Sequence, residues 1–263
     1  MKTIIASWIA VLVLACAPLQ AQWVKVPPAN IPRMPNGEPN LSAPLPRLPD
    51  GKPDLSGVWR PDNKYAGQPQ NFAANLKVDN IPFQPWAEAL LEERKTGVHE
   101  REDSSALCLP QGLPRVNAAP GQWKVVQTPE FIVIIYEAFN IFWRQIFLDG
   151  REVAEDAPPT RLGYSMGNWD GDTLVVNTKG FNGKTWIDQM GKPTTEALHV
   201  IERFRRTDFG NMEIQITIDD PKAYTRPWTF TEQMRLLPDT ELMEAICNEN
   251  NRDLEHLPGD NLR

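Results

Sequence analysis

Few side chains in this 263-residue chain have the type and spacing to do chemistry. Three carboxylates fall in phase with apolar strand residues: Glu137 with Phe131, Val133, Ile135 and Phe139; Glu202 with Leu198, Val200 and Phe204; Glu232 with Trp228, Phe230, Met234 and Leu236. Arg144 shares its phase with Phe142, Ile146 and Leu148. Because alternate strand residues face opposite sides, this spacing sends three carboxylates and one guanidinium into a common interior. Charges placed there must be paired, protonated or wet. Two arrangements meet that demand. One is a hydrated pocket in which Arg144 and the glutamates orient a ligand against an apolar lining that includes Trp228. The other is a salt bridge of Arg144 with Glu137, with a one-residue bulge turning another glutamate outward.

Catalysis from the same residues would use Glu232 or Glu202 as a base and Arg144 to stabilise an anion, in a hydrolase or isomerase. Asp188 is a further acid, carried with Gly183 and Trp186 on a loop at 181–195 that could cover a barrel mouth. Of the three histidines only His199 falls on an expected strand, where it points opposite to Glu202. Ser165 lacks the glycine spacing of a nucleophile elbow, and a phosphate-binding glycine loop is absent. No CxxC or His-rich spacing calls for a metal, and no cofactor is expected. In Trp169-Asp170-Gly171-Asp172-Thr173, two acids flank a glycine, but Leu174-Val175-Val176 follow at once and supply none of the oxygen ligands of a calcium loop. Asp-Gly there reads as a hairpin turn.

The elements that must position these residues are mostly strands. Gly57-Val58-Trp59 opens the globular part, a short helix is expected at 84–95, and strands at 123–127, 131–139, 141–149, 162–169, 172–178, 198–206, 212–219, 228–237 and 241–247. Short turns at 149–150, 170–171, 208–211 and 238–240 join them as consecutive antiparallel hairpins. The expected fold is all-β: an antiparallel up-and-down, lipocalin-like barrel of nine or ten strands, which hides its sheet edges by closing. Before it lies a Pro-rich extended arm at 22–55, in which Arg33-Met34-Pro35-Asn36-Gly37 recurs as Arg47-Leu48-Pro49-Asp50-Gly51. Each copy reads as a Pro-Asx-Gly turn. The barrel domain is expected over 56–250, with a polar tail at 251–263.

Residues 1–21 have the form of a secretory signal: Lys2, an apolar run from Ile4 to Leu14, and a small-residue cleavage site at Ala21. Lipoprotein processing at Cys16 is the alternative. Without this segment two cysteines remain, Cys108 and Cys247, and in an oxidising compartment they are expected to pair. The net charge of −7 becomes −8 on loss of Lys2, and no basic cluster offsets it, which argues against a nucleic-acid partner. No second apolar run reaches membrane-spanning length, and a protein partner is not legible.

The Gly57-x-Trp59 triplet resembles the first strand of lipocalins. Five segments together, Pro53-Asp54-Leu55-Ser56-Gly57-Val58-Trp59, Cys108-Leu109-Pro110, 144–151, 171–176 and Glu202-Arg203-Phe204-Arg205-Arg206, resemble a widespread family of secreted bacterial proteins without an assigned activity. That resemblance implies a periplasmic or secreted compartment and no mechanism. The functional expectation is a small, partly apolar ligand inside the barrel. An enzyme in the same cavity and an envelope interaction module are the alternatives.

Overall fold

The computed structural model describes residues 30–62, 81–119, 121–137, 142–249, 252 and 256–257. The expected signal segment, Cys16, Phe139 and most of the polar tail lie outside the described residues. Nine strands close a barrel in sequence order: β1 (Gly57–Pro61), β2 (Trp123–Gln127), β3 (Phe131–Tyr136), β4 (Phe142–Phe147), β5 (Tyr164–Asp170), β6 (Thr173–Lys179), β7 (His199–Arg206), β8 (Asn211–Asp219) and β9 (Trp228–Leu236). The all-β barrel read from the sequence is therefore present, with one correction to its pairing. β4 and β5 run parallel, joined only through Ile146↔Ser165 and Phe147↔Met166. Parity explains it: nine strands alternating strictly up and down cannot close with every neighbour antiparallel, so one pair must be parallel. The turn signal at Asp149-Gly150 starts a long connection rather than a hairpin, and that connection returns the chain to the top of the barrel. Segment 241–247, expected as a strand, is irregular, and β9 closes on β1 instead.

Paired residues across the ladders define one inward set, which includes Trp59, Trp123, Tyr136, Arg144, Ser165, Thr178, Glu202, Ile216 and Glu232. Its apolar members, such as Ile146, Val176, Val200, Ile214 and Ile216, are fully buried, each stabilising the fold by roughly 1.5–3 kcal/mol. The hairpins use their turn chemistry. Gly171 takes φ +58 in the two-residue connection from β5 to β6, so the Asp-Gly stretch is a turn, displaced by one residue from the expected 170–171. Asp208 binds the Gly210 amide and the Asn211 side chain at the next tight turn.

Both ends of the barrel are covered. At the lower end Arg206 lies over the Trp59 and Phe209 rings and donates to the carbonyls of Asp54, Asp208 and Phe209; burial lowers its pKa to about 10. The arm reaches the same end, and its sequence repeat is a repeated clamp. Arg33 and Arg47 each donate to the carbonyl four residues on, Gly37 or Gly51, and each pairs with a loop carboxylate of the barrel, Asp239 or Asp172. At the upper end α1 (Pro85–Lys95) begins with proline at a position that needs no hydrogen-bond donor. It buries Ala87 and Leu91, while Trp86 stays half-exposed with its indole nitrogen donating to the Lys222 carbonyl. A 3-10 turn (Arg115–Ala118) plugs the mouth beside it. The Cys108–Cys247 disulfide ties the segment leading into that plug to the C-terminal part of the chain.

Candidate functional site

Arg144, in the middle of β4, turns inward because Phe142 and Ile146 on the same phase do. Its guanidinium donates to Ser165 Oγ at 2.8 Å, Thr178 Oγ1 at 2.9 Å and Glu202 Oε1 at 3.1 Å, with a second contact to Glu202 Oε2. Ser165 and Thr178 are cross-strand partners on β5 and β6, so adjacent rungs carry the cation across to β7. Glu202 also accepts from Asn117 Nδ2 at 2.9 Å, and Asn117 Oδ1 in turn accepts from the Tyr136 hydroxyl at 2.8 Å. Trp123 Nε1 holds the Asn117 carbonyl, fixing the plug in place. Burial opposes the Arg144 cation, but Glu202 and Tyr136 outweigh it and raise its pKa. Burial likewise pushes the Tyr136 phenol up. The network is closed and neutral overall, so its two charges need no outside partner.

Glu232 is the exception inside the barrel. It faces inward from β9 opposite Ile214, between Phe230 and Met234, and neither carboxyl oxygen has a hydrogen-bond partner. Burial first, and the Glu202 carboxylate second, push its pKa well above the usual carboxylate range. A group in that setting keeps its proton and becomes an O–H donor beside a C=O acceptor. Trp228, four residues earlier on the same face, has a buried indole N–H that also lacks a partner. Its ring belongs to an aromatic cluster, stacked on Phe230 and edge-on to Tyr224 with centroids 5.6 Å apart in each case. One face of β9 thus presents two donors and one acceptor in an apolar, aromatic surrounding.

The remaining candidates lie elsewhere. Glu137 is the clearest correction: β3 buries Ile132, Ile134 and Tyr136, the phase opposite to the one expected. Glu137 therefore follows the outer face, where it accepts from Gln122 Nε2 and the Met243 amide beneath the C-terminal segment, and Arg144 pairs with Glu202 rather than with it. Asp188 is buried in the 181–195 loop against Lys192. Trp186 in that loop packs under the Arg94 guanidinium, 4.7 Å from its centroid, at the barrel mouth. His199 faces away from Glu202, as its phase implies, with Nε2 on Asn177 Oδ1, and burial lowers its pKa. Of the sequence-derived residues the structure brings Arg144 and Glu202 into contact, sets Glu232 close enough to feel the Glu202 charge, and places Trp228 on the same face of β9 as Glu232. Among the described residues no group of three or more His, Cys, Asp or Glu is placed to hold a metal ion.

The sequence does not single out Asn117, Tyr136 or Thr178, and it raises Ser165 only as a nucleophile that lacks its motif. Ser165 and Thr178 sit in phase with inward residues of β5 and β6, so counting uncharged polar residues on the buried phase would have found them. Asn117 enters from a loop, where strand phase gives no signal.

No protein-family model matches the chain, and no curated protein does. The motif resemblance to a secreted bacterial family has no counterpart there. Among solved structures the chain is similar to the fluorescent protein UnaG: the wild-type crystal structure at 15% identity and TM-score 0.34, covering 70% of this chain and 97% of that one. A point mutant of UnaG matches at 14% identity, with the same TM-score and 96% of its chain covered. Neither likeness bears on function.

Proposed function

We propose that this protein is an exported barrel that binds a small, partly apolar molecule against the inner face of β9. The observation that carries the reading is Glu232: a buried carboxyl with no partner for either oxygen. A buried polar group left unsatisfied costs about 1–3 kcal/mol, and native proteins carry few of them without a use. Trp228 Nε1 on the same face supports the reading, as does the aromatic lining that would hold an apolar body. The disulfide fits an oxidising compartment, and among the described residues no helix is long and apolar enough to cross a membrane.

The enzymatic reading is weakened by the occupancy of its parts. Arg144 already donates to three side chains and Glu202 is held by Arg144 and Asn117, leaving Glu232 without an anion stabiliser. An interaction module would need the Pro-rich arm free to engage a partner, but its Arg33 and Arg47 clamps draw it onto the barrel. Native mass spectrometry of the protein exported to a bacterial periplasm, compared with the same sample denatured, tests the binding reading. A small molecule carried in the native ion and lost on denaturation supports it. A native ion at the bare polypeptide mass, with no shift on exposure to cell extract, removes it.

A further inference from the structure

The polar atoms on β9 constrain the chemistry of the ligand further, an inference that rests on the interior-binding reading above. Glu202 and Arg144 neutralise each other, so the network offers neither a free cation for a carboxylate ligand nor a free anion for an amine. On the inner face of β9 the unsatisfied groups are the Glu232 carboxyl and the Trp228 indole N–H. An ammonium ligand would ionise Glu232 in an apolar site close enough to Glu202 to feel its charge. It would pay desolvation for both ions, and it would leave the indole donor still unpaired, because an ammonium has no acceptor. A carboxylate ligand would bring a charge with no free cation to meet it. A neutral group with adjacent C=O and N–H is complementary instead: it accepts from the Glu232 O–H and donates to its carbonyl, closing a two-bond ring. A second acceptor further along such a ligand would reach toward the indole.

Two flexible side chains border this point. The side chains flanking Glu232 toward the lower end are Met234 and, across from it, Met212. Methionine is unbranched and repacks at lower cost than branched neighbours.

We infer that the β9 face selects neutral carboxamide or lactam groups carrying an apolar body, held by paired hydrogen bonds to the Glu232 side chain. The substitution pattern separates the ligand classes. In Glu232→Gln the side chain keeps a carbonyl acceptor and gains an NH2 group with two N–H donors, one of which can take the place of the acid O–H, whereas Glu232→Leu has neither acceptor nor donor.

The test uses the full-length exported protein and three probes of equal chain length, octanamide, octylamine and octanoate, with binding read by intrinsic tryptophan fluorescence. The expected result is that octanamide binds at least tenfold more tightly than either charged probe, that Glu232→Gln stays within about tenfold of wild type, a change of 1.4 kcal/mol or less, and that Glu232→Leu loses binding. Octylamine binding that disappears in both variants would overturn the carboxamide assignment while leaving the interior site standing. Octanoate binding unaffected by either variant would overturn it too, placing the ligand away from Glu232. Should none of the three bind while native mass spectrometry shows a carried molecule, the carboxamide assignment falls and the barrel reading survives. Should that spectrum also show bare polypeptide, both fall.

Discussion

Replacing Glu232 by glutamine isolates the linkage between its proton and folding. In the folded protein burial and the Glu202 charge raise the Glu232 pKa well above its ordinary value, while in the unfolded chain it titrates near 4.3 as any glutamate does. Below the unfolded value both states hold the proton and the group contributes no pH dependence. Above it the unfolded chain releases the proton and the folded protein does not, so the folded state binds more protons and stability falls as pH rises. One proton corresponds to a slope of about 1.4 kcal/mol per pH unit, maintained until pH reaches the folded pKa. Glutamine has the same shape and no proton to lose, so every other titrating group cancels in the difference between the two proteins. Urea unfolding at half-unit pH steps measures it. The expected outcome is that wild type loses stability relative to Glu232→Gln at that slope from the unfolded glutamate pKa upward, levelling where the folded carboxyl finally ionises. Parallel curves would refute the reasoning, because they would mean that Glu232 titrates alike in both states and is neither dry nor unpartnered.

Other substitutions probe the rest of the structure. Glu202→Gln leaves the Arg144 cation buried and unpaired and is expected to cost about 3–5 kcal/mol by urea denaturation, whereas the double change Arg144→Met with Glu202→Leu should be near neutral or stabilising. A double variant as unstable as Glu202→Gln would show that the cost lies in packing, not in the orphaned charge. Asp172→Ala removes the half-exposed clamp on Arg47 and should cost under about 1 kcal/mol, with a melting temperature indifferent to calcium or chelator in both proteins. A calcium-dependent rise of several degrees in wild type that Asp172→Ala abolishes would restore the metal loop. Cys108→Ser with Cys247→Ser opens a loop of 139 residues in sequence separation, for which chain entropy sets a ceiling of about 5 kcal/mol. Loss of that order should appear as a matching drop in urea midpoint, and no drop would mean that the plug holds the mouth without its covalent tie.

Why some of this was legible in sequence and some was not follows from particular strands. On β7 and β9 apolar and polar residues alternate, so Glu202 and Glu232 carry their own phase marker, and the ladders place both inward. β3 reads Phe-Ile-Val-Ile-Ile-Tyr with no alternation, so periodicity cannot choose a face. Glu137 was the sole marker there, and it sits beyond the strand, covered from outside by the C-terminal segment. Arg144 faces inward on the phase of Phe142 and Ile146, but its partner depends on which hydroxyls and carboxylates meet across β5, β6 and β7, a three-dimensional fact. The parallel β4–β5 seam follows from strand count, and an expected tenth strand at 241–247 concealed that parity. The arm repeat was visible as a pair of turns, yet the common purpose of Arg33 and Arg47 appears only once Asp239 and Asp172 lie opposite them.

Inside the barrel Glu232 is an unpartnered acid whose pKa burial raises well above the usual carboxylate range. A titration of its side-chain carboxyl carbon by nuclear magnetic resonance, assigned through Glu232→Gln, tests this most directly. The signal is expected to remain at its protonated position at neutral pH and to shift on addition of octanamide without ionising. A signal already at the ionised position at neutral pH, titrating as an exposed glutamate does, would contradict it.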